Sequence, residues 1–151
     1  MVRIAVLVSG GGTNLQALID AQSRGELKNG RIAAVLSSRP DAYALERAAR
    51  AGIPGYVVAR KDFASNREMT VALVDKLREL NIGLVVLAGF LHILTGEMVA
   101  AFPNAILNVH PALIPSFCGA GYYGLHVHEA ALAYGVKLTG ATVHFVNEEP
   151  D

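Results

Sequence analysis

The sequence predicts an α/β fold with a doubly wound, mostly parallel sheet. Continuous apolar runs, among them residues 4–8 and 84–87, are typical of strands that are covered on both faces. Between these runs, apolar residues recur at the spacing of amphipathic helices. A glycine triplet follows the first run after one serine and precedes the first helical segment. Strands that alternate with helices in this way form parallel sheets.

The composition excludes several classes of protein. The chain has 151 residues, with 13 basic and 13 acidic side chains, which suits one domain with a sizeable core. Lys and Arg form no run that would mark a nucleic-acid or membrane surface, and no apolar run reaches the roughly 20 residues that span a bilayer. Cys118 is the single cysteine, so no internal disulfide can form. We expect a cytoplasmic protein without a metal site.

The first half of the chain predicts three strands and three helices. The strands lie at residues 4–8, 32–36 and 56–58. The first helix follows the glycine triplet, with Leu15 and Ile19 one turn apart. The second covers residues 41–51, since Gly52 is typical of a helix end and Pro54 stands beyond it. The third covers residues 66–80 and turns its apolar positions inward: Met69, Leu73, Leu77 and Leu80.

The second half continues the alternation. Strands are predicted at residues 84–87, 106–110 and 138–146, with a short helix at 95–102 and another that ends at Tyr134. Pro103 and Asn104 form the turn into the strand at 106–110. His144 stands among apolar neighbours in the last strand and is expected to be a core histidine.

The glycine loop, residues 10–12, predicts a phosphate site. Glycines let a ligand approach the backbone closely, and a helix start presents unpaired N–H groups. The loop lacks the Gly-Lys-Ser/Thr of a Walker sequence and the third glycine of a dinucleotide fingerprint, where Leu15 stands instead. Arg39, after the second strand, could meet a 2′-phosphate, which leaves an NADP-binding oxidoreductase as an alternative.

Asn108 and His110 are the candidate catalytic pair. Side chains alternate along a strand, so both point to the same face. Pro111 lacks a backbone donor and ends the strand, which places His110 at its carboxyl end, where open parallel sheets bind ligands. An amide donor beside an imidazole suits a carbonyl whose oxygen becomes negative during reaction.

The loop at residues 116–124 contains three glycines and two tyrosines and is expected to lie near the site. Cys118 has no evident activating partner that would make it a nucleophile. His126 and His128 would need a third ligand to hold a metal, and we expect exposed histidines at a helix start.

Four segments, together with Asp151, resemble the glycinamide ribonucleotide formyltransferases, which are folate-dependent enzymes of purine biosynthesis. They are Val-Ser-Gly-Gly-Gly-Thr-Asn-Leu-Gln-Ala-Leu at 8–18, Leu-Ala-Gly-Phe-Leu-His-Ile-Leu at 87–94, Asn-Val-His-Pro-Ala-Leu-Ile-Pro-Ser-Phe at 108–117, and Thr-Gly-Ala-Thr-Val-His-Phe-Val at 139–146. The resemblance implies a Rossmann-like formyltransferase domain over residues 1–151. Its phosphate-binding part would be 1–100, and its catalytic and folate-binding part 101–151.

The resemblance also implies the ligands and the site. The partners would be small molecules only, 10-formyltetrahydrofolate as co-substrate and glycinamide ribonucleotide as acceptor, bound by a monomer or homodimer. The catalytic residues would be Asn108, His110 and Asp151, with Asp151 orienting His110 and holding a water for proton transfer. Gly12, Thr13, Asn14 and Pro111 would bind the ribonucleotide. The residues on the folate side would be Leu87, Leu91, His92, Ile93, Leu94, Val99 and Ile106, with Arg67 facing the glutamate tail.

Three departures from the family pattern are visible. His92 replaces the usual Arg, so a carboxylate contact there would depend on pH. The stretch 119–123 looks longer than in some members. The family continues beyond this aspartate with another strand and a terminal helix, so the resemblance implies a fold that lacks both here.

Four alternatives stay open besides ribonucleotide formylation. A 10-formyltetrahydrofolate hydrolase would call for a regulatory domain and a second histidine where Pro111 stands. A methionyl-tRNA formyltransferase would call for a basic C-terminal domain. The NADP-binding oxidoreductase rests on the glycine loop and Arg39. The last alternative is a phosphate-binding fragment without catalysis.

Overall fold

A computed structural model describes residues 1–149 of the chain. Its strands are β1 (Val2–Val8), β2 (Gly30–Ser37), β3 (Gly55–Val57), β4 (Leu84–Leu87), β5 (Ile106–His110) and β6 (Thr142–Phe145). Its α-helices are α1 (Thr13–Ser23), α2 (Tyr43–Arg50), α3 (Asn66–Glu79), α4 (Gly96–Ala101) and α5 (Leu125–Tyr134). Asp151, the third member of the expected catalytic group, lies outside the described residues.

The strands form one sheet in the order β3-β2-β1-β4-β5-β6. All neighbouring pairs are parallel except β5 and β6, which are antiparallel. The chain moves outward from β1 to β3 and then returns to the other side of β1 with β4. This reversal creates the switch point at which doubly wound sheets bind ligands, and the predicted fold class is confirmed.

The two faces of β1 explain its continuous apolar sequence. Ala5 and Leu7 belong to a buried cluster with side chains of α3 and α4, whereas Val6 and Val8 belong to a second cluster with α1 and α2. All four side chains are completely buried. A strand packed on both faces needs apolar residues at every position, which is the pattern that predicted this element.

Two expectations were wrong in detail. The last strand is shorter than residues 138–146, because β5 ends at His110 and its final pair is with Thr142. In the part of the chain that the structure describes, residues 138–141 have no strand to pair with. The second helix begins at Tyr43 rather than at 41, since Asp41 lies before it and pairs with Arg39. Among the helices of residues 1–149, none has the length and apolar character to cross a membrane.

Candidate active site

One transverse row of the sheet organises the site. Leu7 of β1 pairs with Leu87 of β4, Leu87 pairs with Asn108 of β5, and Asn108 pairs with His144 of β6. The glycine loop follows β1, and the apolar segment 88–94 follows β4. Parallel strands end at a common edge, so the sheet brings these predicted regions together with Asn108 and His110.

Gly12 adopts a conformation that its neighbours require. It precedes α1 with φ of 77°, in the left-handed region. A Cβ at this position would lie 2.6 Å from the Cβ and 2.9 Å from the Cα of Ala44, in α2. A Cβ on Gly10 or Gly11 would meet no atom within 4 Å, so open space remains beside the loop backbone.

Thr13 and Asn14 are exposed at the start of α1, next to that open space. The loop therefore has the form expected of an anion site: accessible backbone before the first turn of an 11-residue helix.

Arg47 of α2 holds the glycine loop from the outside, a contact that the sequence did not predict. Its Nε donates to the Gly11 carbonyl oxygen at 2.7 Å, and a terminal nitrogen donates to the Gln16 side chain at 3.3 Å. The Ala44 N–H adds a third bond, to the Gly10 carbonyl oxygen at 3.1 Å. Arg47 is separated from the loop by 36 residues, and the packing of α2 against α1 creates the contact.

The Asn108 amide is oriented by His144. Asn108 Nδ2 lies 3.2 Å from His144 Nε2, and His144 Nδ1 lies 3.2 Å from the Phe145 carbonyl oxygen. An amide nitrogen and a carbonyl oxygen have fixed roles as donor and acceptor. His144 Nδ1 therefore carries the proton, and Nε2 accepts from Asn108.

The core role expected for His144 was wrong. The side chain is half-buried: within residues 1–149, β6 pairs with β5 alone, and its other residues alternate between half-buried and exposed. Its antiparallel register opposite Asn108 makes it part of the site. Residues directly opposite each other on neighbouring strands point to the same face of the sheet, so His144 points the same way as Asn108. The sequence could not reveal this relation, because it does not show which strand pairs with β5.

His110 is buried at the end of β5, with 3% of its surface exposed. Its Nε2 lies 2.7 Å from the Phe117 carbonyl oxygen, which can only accept, so Nε2 is the donor. Thr142 fixes the intervening loop: its hydroxyl donates to the Ala112 carbonyl oxygen at 2.7 Å and accepts from the Ile114 N–H at 3.1 Å. The half-buried Pro111 starts this loop.

A cavity of about 260 Å³ lies between α4, β5 and the segment after β6. Leu94, Val99 and Ile106, three of the residues expected on the folate side, line it together with Val146 and Glu148. Of the other predicted members, Leu87 is half-buried, and Leu91 and Ile93 expose 57% and 75% of their surfaces. The segment 88–94 thus presents apolar side chains that the described residues leave uncovered.

The two polar residues expected on the folate side have different surroundings. Arg67 Nε pairs with Glu97 at 2.7 Å, where the Thr95 hydroxyl, the backbone N–H of Glu97 and Arg67 together lower the pKa of that carboxyl. Burial and the positive charge of Arg60 lower the pKa of His92. His92 is therefore predominantly neutral at pH 7.

The other residues considered for metal binding, nucleophilic attack or NADP binding have the following surroundings. Within residues 1–149, no three His, Cys, Asp or Glu side chains are grouped as a metal site would need. His126 and His128 are exposed near the start of α5, as expected. Cys118 donates to the Pro115 carbonyl oxygen at 3.2 Å. Arg39, on which the NADP alternative depended, pairs with Asp41 at 3.1 Å.

Comparison with known proteins identifies relatives of the chain. Residues 2–151 match the family model described as formyl transferase. The chain is 47% identical over 151 residues to phosphoribosylglycinamide formyltransferase of Haemophilus influenzae, covering all of this chain and 68% of that protein. It is 42% identical over 150 residues to the chloroplastic phosphoribosylglycinamide formyltransferase of Arabidopsis thaliana, covering 99% of this chain and 51% of that protein.

A solved structure shows the same fold. The crystal structure of glycinamide ribonucleotide transformylase 1 from Symbiobacterium toebii aligns with a TM-score of 0.92 at 45% identity, covering all of this chain and 68% of that one. The chain thus spans about two thirds of two of these proteins and about half of the third. The family model covers nearly the whole chain, and the sequence is 47% identical to one relative. The chain therefore belongs to the formyl transferase family.

Proposed function

We propose that the chain transfers a formyl group from 10-formyltetrahydrofolate to the amine of glycinamide ribonucleotide, a step of purine biosynthesis. The observation that carries the proposal is the register Leu7–Leu87–Asn108. It places the Asn108 amide on β5, directly beside β4, and β4 leads into the apolar segment 88–94. The next strand, β1, leads into the glycine loop. The names of the relatives support the choice of substrates.

The reaction needs stabilisation of negative charge on the formyl oxygen. The substrate amine attacks the formyl carbon, and the carbonyl oxygen becomes an oxyanion in the tetrahedral intermediate. Asn108 would donate an N–H to that oxygen. Since His144 already accepts one N–H of the same amide, the carboxamide is held in one orientation before substrate arrives. A donor oriented in advance does not have to reorganise during reaction.

His110 would supply the second donor and take part in proton transfer. Its Nε2 proton is bonded to the Phe117 carbonyl oxygen at 2.7 Å, and a substrate oxyanion in place of that oxygen would receive the same bond. A proton must then pass from the attacking nitrogen to the folate nitrogen that leaves. Asp151 is proposed to orient His110 and hold a water for this transfer.

The glycine loop would bind the ribonucleotide phosphate. Its backbone beside Gly10 and Gly11 faces open space, and Thr13 and Asn14 are exposed next to it. The positive end of α1 favours an anion there. Pro111, which begins the loop after His110, is proposed to contact the same substrate.

The folate would lie against the apolar side of the site. The cavity lined by Leu94, Val99 and Ile106 suits a flat ring, and Leu91 and Ile93 offer apolar surface beside it. The neutral His92 would not attract a carboxylate at pH 7, so Arg67 is proposed to meet the glutamate tail. That contact would compete with Glu97, which Arg67 now binds.

The test is formyl transfer from a 10-formyl folate, followed by the absorbance of the deformylated folate, with and without glycinamide ribonucleotide. Turnover only with the ribonucleotide is expected. Turnover in its absence would identify a hydrolase instead. Absence of turnover in both reactions would refute the proposed activity for this chain, and binding of the ribonucleotide without turnover would indicate a phosphate-binding protein without catalysis.

A further inference from the structure

Ser9 joins the two halves of the site through its hydroxyl. It is the first residue after β1, immediately before the glycine loop, and only 1% of its surface is exposed. Its Oγ accepts a hydrogen bond from the Leu91 backbone N–H at 3.0 Å and lies 2.6 Å from the Oγ of Ser38. One buried hydroxyl therefore connects the chain segments that leave β1, β2 and β4.

The glycine loop has other attachments that do not involve this hydroxyl. The Ala44 N–H bonds to the Gly10 carbonyl oxygen, and Arg47 bonds to the Gly11 carbonyl oxygen. Both bonds come from α2 and would persist without the Ser9 side chain. Removal of the hydroxyl should therefore leave the position of the phosphate loop nearly unchanged.

The segment 88–94 depends on Ser9 in a different way. At its start the Ala88 N–H bonds to the Leu7 carbonyl oxygen, and just after its end the Thr95 N–H bonds to Thr70 Oγ1. The bond from Leu91 to Ser9 fixes the middle of the segment. There Leu91 and Ile93 expose 57% and 75% of their surfaces.

We infer that Ser9 is a positioning residue for the folate, although it stands in the sequence of the phosphate loop. Its hydroxyl holds the backbone of Leu91 and so sets the apolar segment against which the folate lies. This inference rests on the proposed function and extends it to a residue that acts through its neighbour.

The inference predicts an effect on the opposite substrate. Ser9→Ala leaves the part-buried Leu91 N–H without its acceptor and loosens the segment 88–94. We expect KM for 10-formyltetrahydrofolate to rise about tenfold, which corresponds to the loss of one hydrogen bond at the upper end of its usual net contribution. KM for glycinamide ribonucleotide should stay within about twofold of the wild-type value, since α2 still holds the glycine loop.

Ser38→Ala is the matched control. Ser38 is equally buried, with 2% of its surface exposed, and belongs to the same hydroxyl pair. Its removal deletes the same group but leaves Ser9 Oγ in place to accept from Leu91. The folate KM should then remain within about twofold, and Ser9→Thr, which keeps a hydroxyl, should recover most of the effect of Ser9→Ala.

Amide hydrogen exchange at Leu91 gives a readout that is independent of activity. Exchange should accelerate in Ser9→Ala and remain unchanged in Ser38→Ala. Unaltered exchange in Ser9→Ala, an equal rise in folate KM in both variants, or a rise in the ribonucleotide KM alone would overturn the inference.

If the wild-type chain transfers no formyl group, the proposed function fails, and the dissociation constant for 10-formyltetrahydrofolate is then measured in place of KM. Unchanged folate affinity in Ser9→Ala, or no folate binding by the wild type, would then overturn the positioning role.

Discussion

Replacing Gly12 with alanine should destabilise the fold through two separable costs. The residue has φ of 77°, where an L-residue costs about 1 kcal/mol or more. The new Cβ would also lie 2.6 Å and 2.9 Å from two atoms of Ala44, one of them backbone. Either α2 or the loop must move, and overpacking of this kind costs about 1–3 kcal/mol. We expect the free energy of unfolding to fall by roughly 2–4 kcal/mol, measured by urea denaturation.

Gly11→Ala provides the matched control within the same loop. A Cβ at Gly11 meets no atom within 4 Å, and its φ is not positive. Its free energy of unfolding should change by less than about 0.5 kcal/mol, as is usual for exposed substitutions. The added methyl group would enter the open space beside the backbone and raise KM for the ribonucleotide. Equal stability of the two variants would refute the assignment of Gly12 to a packing constraint.

Four further predictions concern the reaction and the pH dependence of stability. Asn108→Ala should lower kcat by about 10²–10³, as loss of an oxyanion donor does. His144→Ala should lower kcat by about tenfold, because the amide loses its orientation. Both are measured by steady-state kinetics at saturating substrate, and a decrease in kcat below about tenfold in Asn108→Ala would contradict the role of Asn108. Arg47→Ala should raise KM for the ribonucleotide roughly fivefold, or about 1 kcal/mol, and leave the folate KM unchanged, so an unaltered ribonucleotide KM would count against its role in holding the loop. Burial and Arg60 lower the pKa of His92 in the folded chain, so below about pH 6.5 the unfolded chain binds this proton more readily and the free energy of unfolding decreases as the pH is lowered. His92→Gln should flatten that decrease in urea midpoints measured between pH 7 and 5, and an unchanged slope would disprove the link.

Local sequence patterns were sufficient for the five parallel strands and for the position of Asn108 and His110 at the end of the fifth. The apolar run at residues 4–8 indicated a strand with two covered faces, and that strand is central to the sheet. Pro111 marked the end of β5 because a residue without an N–H cannot continue the ladder. Such signals lie within a few residues of the feature that they predict.

The supporting contacts could not be predicted in the same way. Arg47 reaches Gly11, His144 faces Asn108, and Ser9 holds Leu91 across intervals of 36 to 82 residues. Each depends on which elements become neighbours and in what register, and residue spacing does not specify either. His144 shows the difficulty: its apolar neighbours predicted a core position, whereas its antiparallel pairing with β5 places it opposite Asn108.

The common register of β1, β4 and β5 also has an entropic consequence. Neighbouring strands lie about 4.8 Å apart, so the segments that leave β1 and β5 originate about 10 Å from each other on one hydrogen-bonded ladder. Two substrates bound at those positions would meet at a separation defined by backbone hydrogen bonds rather than by flexible side chains. The translational and rotational freedom of both partners would then be lost on binding, so the transfer would proceed at a high effective molarity of amine beside the formyl group.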